Sequence, residues 1–295
     1  MKNRISLEPQ TCNLEVYDFF HNTKIPFVRI EQTNDSKNSF SFLKEDNEDN
    51  KTCIERVFSI KLPSTIKIDY RIRTLHSSAL AAVLCFHLID SEHPIFIDGQ
   101  KYTSVKFEWA NRCTGVGGQS NVDIALFNDE EKQILLLEAK FSEYLSYSKE
   151  VVSPVYDEYY NSTYKKLLPE EFVYENNVLK SATKQSHYCE GIKQMICHHI
   201  GAKNMCRMEE YSSFTIKLGE LLFQFPETDN KKYNIKRKER FEDYCKLYRS
   251  LATNINGINK SNIRLISDVM TYQTVFSDME NSKLILPRVK DYYAL

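Results

Sequence analysis

Glycine and proline are scarce in this 295-residue sequence, eight of each, which argues against repeat arrays and long flexible linkers. No run approaches the ~18 consecutive apolar residues of a membrane-crossing helix, so no spanning segment is expected. The opening MKNRISLEPQ lacks the apolar stretch of a secretory signal. Eight cysteines are present, yet none forms a C-x-x-C pair; the thiols read as reduced and the chain as cytoplasmic. Charge of one sign is also missing. The formal net charge is -1, so a polyanionic partner would have to meet a local basic patch rather than a global field.

What is present is an ordinary globular composition, 42% hydrophobic and 27% charged. A chain of this length can bury a sizeable core. Residues 121–144, NVDIALFNDEEKQILLLEAKFSEY, carry its clearest pattern. Val122, Ile124 and Leu126 alternate with Asp123, Ala125 and Phe127, the period of a strand. The charged residues 128–132 read as a hairpin turn. Residues 134–137 are apolar on both faces and predict a central, doubly covered strand. That strand ends in Glu138-Ala139-Lys140. A buried strand should not end in an acid and a base unless they are paired or bind something. Side chains two apart on a strand share a face, about 6.6 Å apart along it. A hairpin would bring Asp123 to the same end of the sheet. Two carboxylates so placed repel unless a cation sits between them, and oxygen ligands favour a hard ion such as magnesium. A simple salt bridge at a strand end is the plainer alternative.

This constellation resembles the PD-(D/E)XK nuclease superfamily. Asp123 matches the first acid of its motif and Glu138-Ala139-Lys140 the (Asp/Glu)-x-Lys element; Val122 stands where the family has proline. The order of elements extends the likeness over roughly residues 70–225. The resemblance implies an α/β, restriction-endonuclease-like core with a mixed central β-sheet flanked by helices. It implies metal-dependent hydrolysis of phosphodiester bonds in nucleic acid, DNA being the expected form, with Mg²⁺ or Mn²⁺ as cofactor. Asp123 and Glu138, with the main-chain carbonyl of Ala139, would hold the ion, and Lys140 would act on the attacking water. Superfamily members follow the E-x-K strand with a helix whose Gln or Lys reaches the site; here Gln194 is the candidate, with Gln185 and Lys193 behind it. Glu108 and Glu143 are candidates for a further acid.

Taken in order, residues 1–70 read as an N-terminal extension packed on the core, with strands at 54–62 and 66–70 and an exposed acidic stretch ending in KEDNEDN. Residues 71–295 read as the nuclease-like domain with a C-terminal helix and strands. Helices are expected over 75–88, 181–200 (with Gly201 as its cap) and from about 238 to 254. Strands are expected at 102–110, 214–225, 263–266 and 272–276, the last followed by a polar tail. Arg71 and Arg73 read as solvated charges. The glycine-containing loop 111–120 is a hairpin connection whose Gln119 and Ser120 are candidates for touching nucleic acid. Lys236, Arg237, Lys238 and Arg240 form the densest positive charge and are candidates for phosphate contact. The tyrosines Tyr147, Tyr156, Tyr159, Tyr160 and Tyr164 could stack on bases or serve as interface residues. A shared zinc among Cys189, Cys197, His198 and His199 is ruled out, since Cys189 and Cys197 lie about 12 Å apart along a helix. A homodimer is compatible with the sequence. The rival readings are an inactive nuclease-fold module that binds nucleic acid or a protein partner, and a regulatory protein using its tyrosine-rich face.

Overall fold

The doubly apolar run at 134–137 lies in the middle of a six-stranded mixed sheet, because a strand without a polar face must be covered on both sides. The computed structural model describes residues 28–33, 36–42, 44–64, 66, 77–111, 120–141, 143–145, 150–151, 161–162, 164–170, 172–176, 178–181, 189–227, 231–258 and 262–295. Strands β1 (Val28–Thr33) and β2 (Ser36–Phe42) pair antiparallel. They are followed by helices α1 (Asn50–Phe58) and α2 (Ser78–Phe86). A hairpin of β3 (Ile95–Ile97) and β4 (Gln100–Tyr102) turns at Asp98-Gly99, both with positive φ.

The central sheet begins with β5 (Ser104–Asn111), β6 (Ser120–Asn128) and β7 (Gln133–Lys140), an antiparallel meander. A small sheet of β8 (Glu150–Val151), β9 (Phe172–Glu175) and β10 (Val178–Ser181) follows. Then come helix α3 (Cys189–Met205) and β11 (Thr215–Leu222), which pairs parallel with β7. Helix α4 (Lys231–Ile258) leads to β12 (Ile263–Leu265) and β13 (Met270–Thr271), both parallel to β11. Helices α5 (Tyr272–Ser277) and α6 (Pro287–Tyr293) close the chain. The sheet order β12-β11-β7-β6-β5 is thus mixed, with helices on both faces.

Alternation along β7 divides the core. Leu135, Leu137, Ala139 and Phe141 face a cluster built with α1, α2, α5 and α6. Ile134 and Leu136 face a second cluster built with α3 and α4. Glu138 and Lys140 share the parity of Ile134 and Leu136, so they project toward α3 and α4.

Several expected elements differ. The strand expected at 54–62 is α1: Cys53, Ile54, Val57 and Phe58 are buried at helical spacing, and Asp49 caps the helix by accepting from Thr52 N. The strand expected at 272–276 is α5, held by a capping box between Thr271 and Thr274, with Tyr272, Val275 and Phe276 buried. The polar tail is α6, whose Val289, Tyr292 and Tyr293 sit in the core; Tyr293 lies edge-on to Phe141. Ser181, expected to open α3, belongs to β10, residues 182–188 lie outside the described residues, and α3 (Cys189–Met205) runs through Gly201 instead of ending there. Helix α4 begins at Lys231, seven residues before the expected start at 238. The expected strand at 66–70 falls mostly outside the described residues. No helix among the described residues is long and apolar enough to cross a membrane.

Candidate active site

The β6–β7 ladder runs from Asn128–Gln133 to Ile124–Leu137. The next residues on the two strands are Asp123 and Glu138. There the Asp123 side chain replaces a strand carbonyl: its Oδ2 accepts the Ala139 N–H at 2.7 Å. On the other side of Asp123, Glu108 has a left-handed backbone (φ 47°), and the β5–β6 pairing steps over it between Phe107–Ile124 and Trp109–Val122. Non-glycine residues in that region are held there by their surroundings and gather at functional sites.

Glu138 and Lys140 are buried, 2% and 5% exposed. Lys140 Nζ donates to Glu138 Oε1 at 2.7 Å and to Gln194 Oε1 at 2.6 Å. Gln194 Nε2 donates to the same Glu138 Oε1 at 2.6 Å. The three side chains therefore close a ring of charge-assisted hydrogen bonds. The second oxygen, Glu138 Oε2, lies 2.7 Å from His198 Nε2, and His198 Nδ1 lies 3.0 Å from Ser120 Oγ. Gln194 and His198 are four apart on α3, so one helix face presents both.

The carboxyls titrate in opposite directions. Loss of water around Asp123, reinforced by the negative charge of Glu138, pushes its pKa well above the ordinary carboxylate range despite Lys140 and the Ala139 N–H. Burial works against the charge on Glu138 as well, but Lys140 and His198 outweigh it and hold that carboxyl down to about 2. The same setting thus lowers the pKa of one acid and raises that of its neighbour.

Beside them lies a pair that sequence reasoning missed. Glu220 of β11 is in register with Glu138, is buried, and accepts a hydrogen bond from the Tyr244 hydroxyl of α4. Gly191 of α3 makes room for that bond: a Cβ there would collide with the Tyr244 hydroxyl and come within 2.8 Å of Glu220 Oε1. Gly191→Ala is expected to displace this donor from a buried carboxylate and to destabilise the protein by about 2 kcal/mol, measurable by chemical denaturation; an unchanged midpoint would show that Tyr244 moves aside freely.

The other candidates are placed as follows. Lys193 is half-buried on α3. Glu143 Oε2 accepts from Phe141 N at 2.7 Å, so it braces the turn that follows β7. Lys236 and Lys238 are exposed, and Lys238 lies 4.0 Å from Glu242. Arg240 is half-buried. Arg237 is not part of the exposed set: it is buried, with its guanidinium over the Phe225 ring and bonded to Asn234. Tyr164 is not available for stacking either; it is buried with its hydroxyl 2.6 Å from His199 Nδ1. Gln119, Gln185, Arg71, Arg73, Tyr147, Tyr156, Tyr159 and Tyr160 lie outside the described residues. His198 was legible only as half of a rejected zinc pair. Its spacing of four from Gln194 was the signal that could have assigned it to the site.

Among the described residues, no three His, Cys, Asp or Glu side chains enclose one point as a preformed metal cage. Magnesium does not require one, since it keeps several waters and takes one or two carboxylates. A carboxylate has about four lone-pair positions. Glu138 uses three, for Lys140, Gln194 and His198. One remains, and the carboxylate of Asp123, held by the Ala139 N–H, is the neighbouring oxygen donor. The donor set therefore fits a hard divalent ion.

A family model described as Restriction Endonuclease associating with ARP (REase-ARP) matches residues 42–294, well over half of the chain and all of the residues just described. Comparison with curated proteins yields no match. Comparison with solved structures yields none either.

Proposed function

Because the chain belongs to the REase-ARP family, a family of restriction endonucleases by its description, we propose that it is a metal-dependent nuclease that hydrolyses phosphodiester bonds in DNA. One observation carries the reading: Asp123 from β6, Glu138 and Lys140 from β7 and Gln194 from α3 meet at one end of the sheet. Asp123 and Glu138, with the main-chain carbonyl of Ala139, would hold Mg²⁺ or Mn²⁺. When bound, such an ion polarises a phosphoryl oxygen and acidifies water.

The side chains divide the remaining work. Glu138, ionised far below neutral pH, offers a permanent negative charge. Asp123 offers the second carboxylate, fixed by the Ala139 N–H. Lys140 places an ammonium next to both acids, where charge develops on a phosphate under attack, and a fixed donor there needs no reorganisation during reaction. Gln194 holds Lys140 and Glu138 in one geometry through its two ends. Exposed Lys236 and Lys238, with Arg240, supply phosphate contacts along the nucleic-acid backbone. Gln119 and Ser120 are the further candidates for nucleic-acid contact. Glu108, Glu143 and Lys193 stand as supporting residues around this set.

The decisive experiment incubates the purified protein with plasmid and linear DNA in Mg²⁺ or Mn²⁺, with an EDTA control. Nicking or degradation that EDTA abolishes is the expected result. Retention of DNA in a gel-shift assay with no cleavage under either metal would replace the enzyme by a non-cleaving nucleic-acid-binding module.

A further inference from the structure

We infer that His198, oriented by Ser120, is the positioning residue that fixes the Glu138 carboxylate for cation binding; the inference rests on the nuclease reading above and adds to it a pair of residues outside the acid and lysine motif. His198 is 1% exposed and uses both ring nitrogens. A ring carrying its proton on Nε2 donates to Glu138 Oε2 and accepts the Ser120 hydroxyl at Nδ1. The hydrogen bond at one nitrogen thereby sets the role of the other.

The geometry assigns His198 a task that its neighbours do not perform. Lys140 Nζ and Gln194 Nε2 both bind Oε1. Two donors on one oxygen leave the carboxylate able to turn about that point. Among the described residues, His198 alone is bonded to Oε2, so it stops the rotation and sets where the remaining lone pair points. Ser120 extends the restraint. It opens β6 three residues before Asp123, so the Ser120–His198–Glu138 chain ties β6 to β7 through α3. That tie stands where the backbone pairing of β6 with β7 has stopped, beyond Ile124–Leu137. The distance between the two acids then depends on a side-chain link as well as on the sheet. Partners of this kind behind a ligand typically contribute 10–100-fold to metal affinity.

The test is direct Mn²⁺ titration, by electron paramagnetic resonance of the free ion, of wild type, His198→Ala, His198→Gln and Ser120→Ala, with thermal melts to confirm folding. His198→Ala should weaken Mn²⁺ binding by roughly 10–100-fold. His198→Gln, whose amide can donate to Oε2, should recover most of that loss, which a merely space-filling role would not predict. Ser120→Ala should weaken binding several-fold, and that effect should vanish when His198 is already alanine, because the two act through one chain. Wild-type affinity in a folded His198→Ala protein would overturn the assignment. If that variant does not fold, unchanged affinity in Ser120→Ala would do the same. A wild-type protein that neither binds Mn²⁺ nor cuts DNA removes the nuclease reading and this inference together, whereas binding that all variants share removes this inference alone.

Discussion

Lys140→Met should lower metal-dependent DNA cleavage by on the order of 10²–10⁴-fold and destabilise the fold by about 3 kcal/mol. Both effects come from one atom. Lys140 Nζ neutralises Glu138 at 2.7 Å and anchors Gln194 at 2.6 Å. Methionine keeps much of the side-chain length and removes the charge, leaving a carboxylate that is 2% exposed without its ammonium partner. Gln194 and His198 still hydrogen-bond to it, which places the loss at the lower end for a broken buried pair. Adding Glu138→Gln to Lys140→Met should restore most of the stability, because it removes the orphaned charge, but none of the cleavage. Chemical denaturation and a plasmid-nicking assay on the same preparations separate the two. A single mutant that keeps full activity would refute the role given to Lys140, and a double mutant no more stable than the single would refute the charge argument.

Asp123→Asn should behave in the opposite way: cleavage falls by at least about 10²-fold while the metal-free protein melts at a higher temperature near neutral pH. The sign follows from proton binding. Loss of water and the charge of Glu138 raise the Asp123 pKa in the folded protein above its unfolded value. Between those two values the folded state binds more protons than the unfolded state, so stability falls as pH rises through that window. The contribution of Asp123 is therefore complete below the unfolded pKa, near 3.8, and lost as pH passes the raised folded value. Asparagine carries no charge to bury and can still accept the Ala139 N–H. The stabilisation by Asp123→Asn should accordingly shrink at low pH, where wild-type Asp123 is already neutral. Mn²⁺ should raise the melting temperature of wild type and leave the asparagine variant nearly unmoved. Thermal melts across pH, with EDTA and with Mn²⁺, read all three effects. A variant less stable than wild type at neutral pH would show that the Asp123 carboxylate is not strained by its setting.

Asp123→Asn and Lys140→Met together describe a site held against its own stability. A buried acid and a half-buried one are neighbours, the pKa of the half-buried one raised and the buried one fixed as an anion by three donors. Active sites are where such local conflicts are expected, because a fold optimised for stability alone would not gather them.

The meander was readable from the sequence because a strand repeats every two residues and a hairpin announces its turn. Alternation at 122–127, charge at 128–132 and the apolar run at 134–137 placed Asp123, Glu138 and Lys140 on β6 and β7. Helical spacing announced α3, and the superfamily resemblance, which implies a Gln or Lys on that helix, singled out Gln194. The three short helices α1, α5 and α6 were misread or missed, since six to nine residues rich in β-branched and aromatic side chains carry too little period to outweigh strand propensity. Their caps, Asp49 and the Thr271–Thr274 box, were the better signal.

The partners of Glu138 and Glu220 belonged to the tertiary structure alone. His198 stands 60 residues from Glu138, and Tyr244 stands 24 from Glu220. No local period links such positions; they meet only because α3 and α4 pack on the face of the sheet from which both acids project. The sequence by itself determined the β6–β7 hairpin and the acids and base it carries, because those depend on neighbours along the chain. Only the packing of helices on the sheet decided which acid is pushed toward its neutral form and what holds the other still, because burial and pairing are properties of atoms brought close in space.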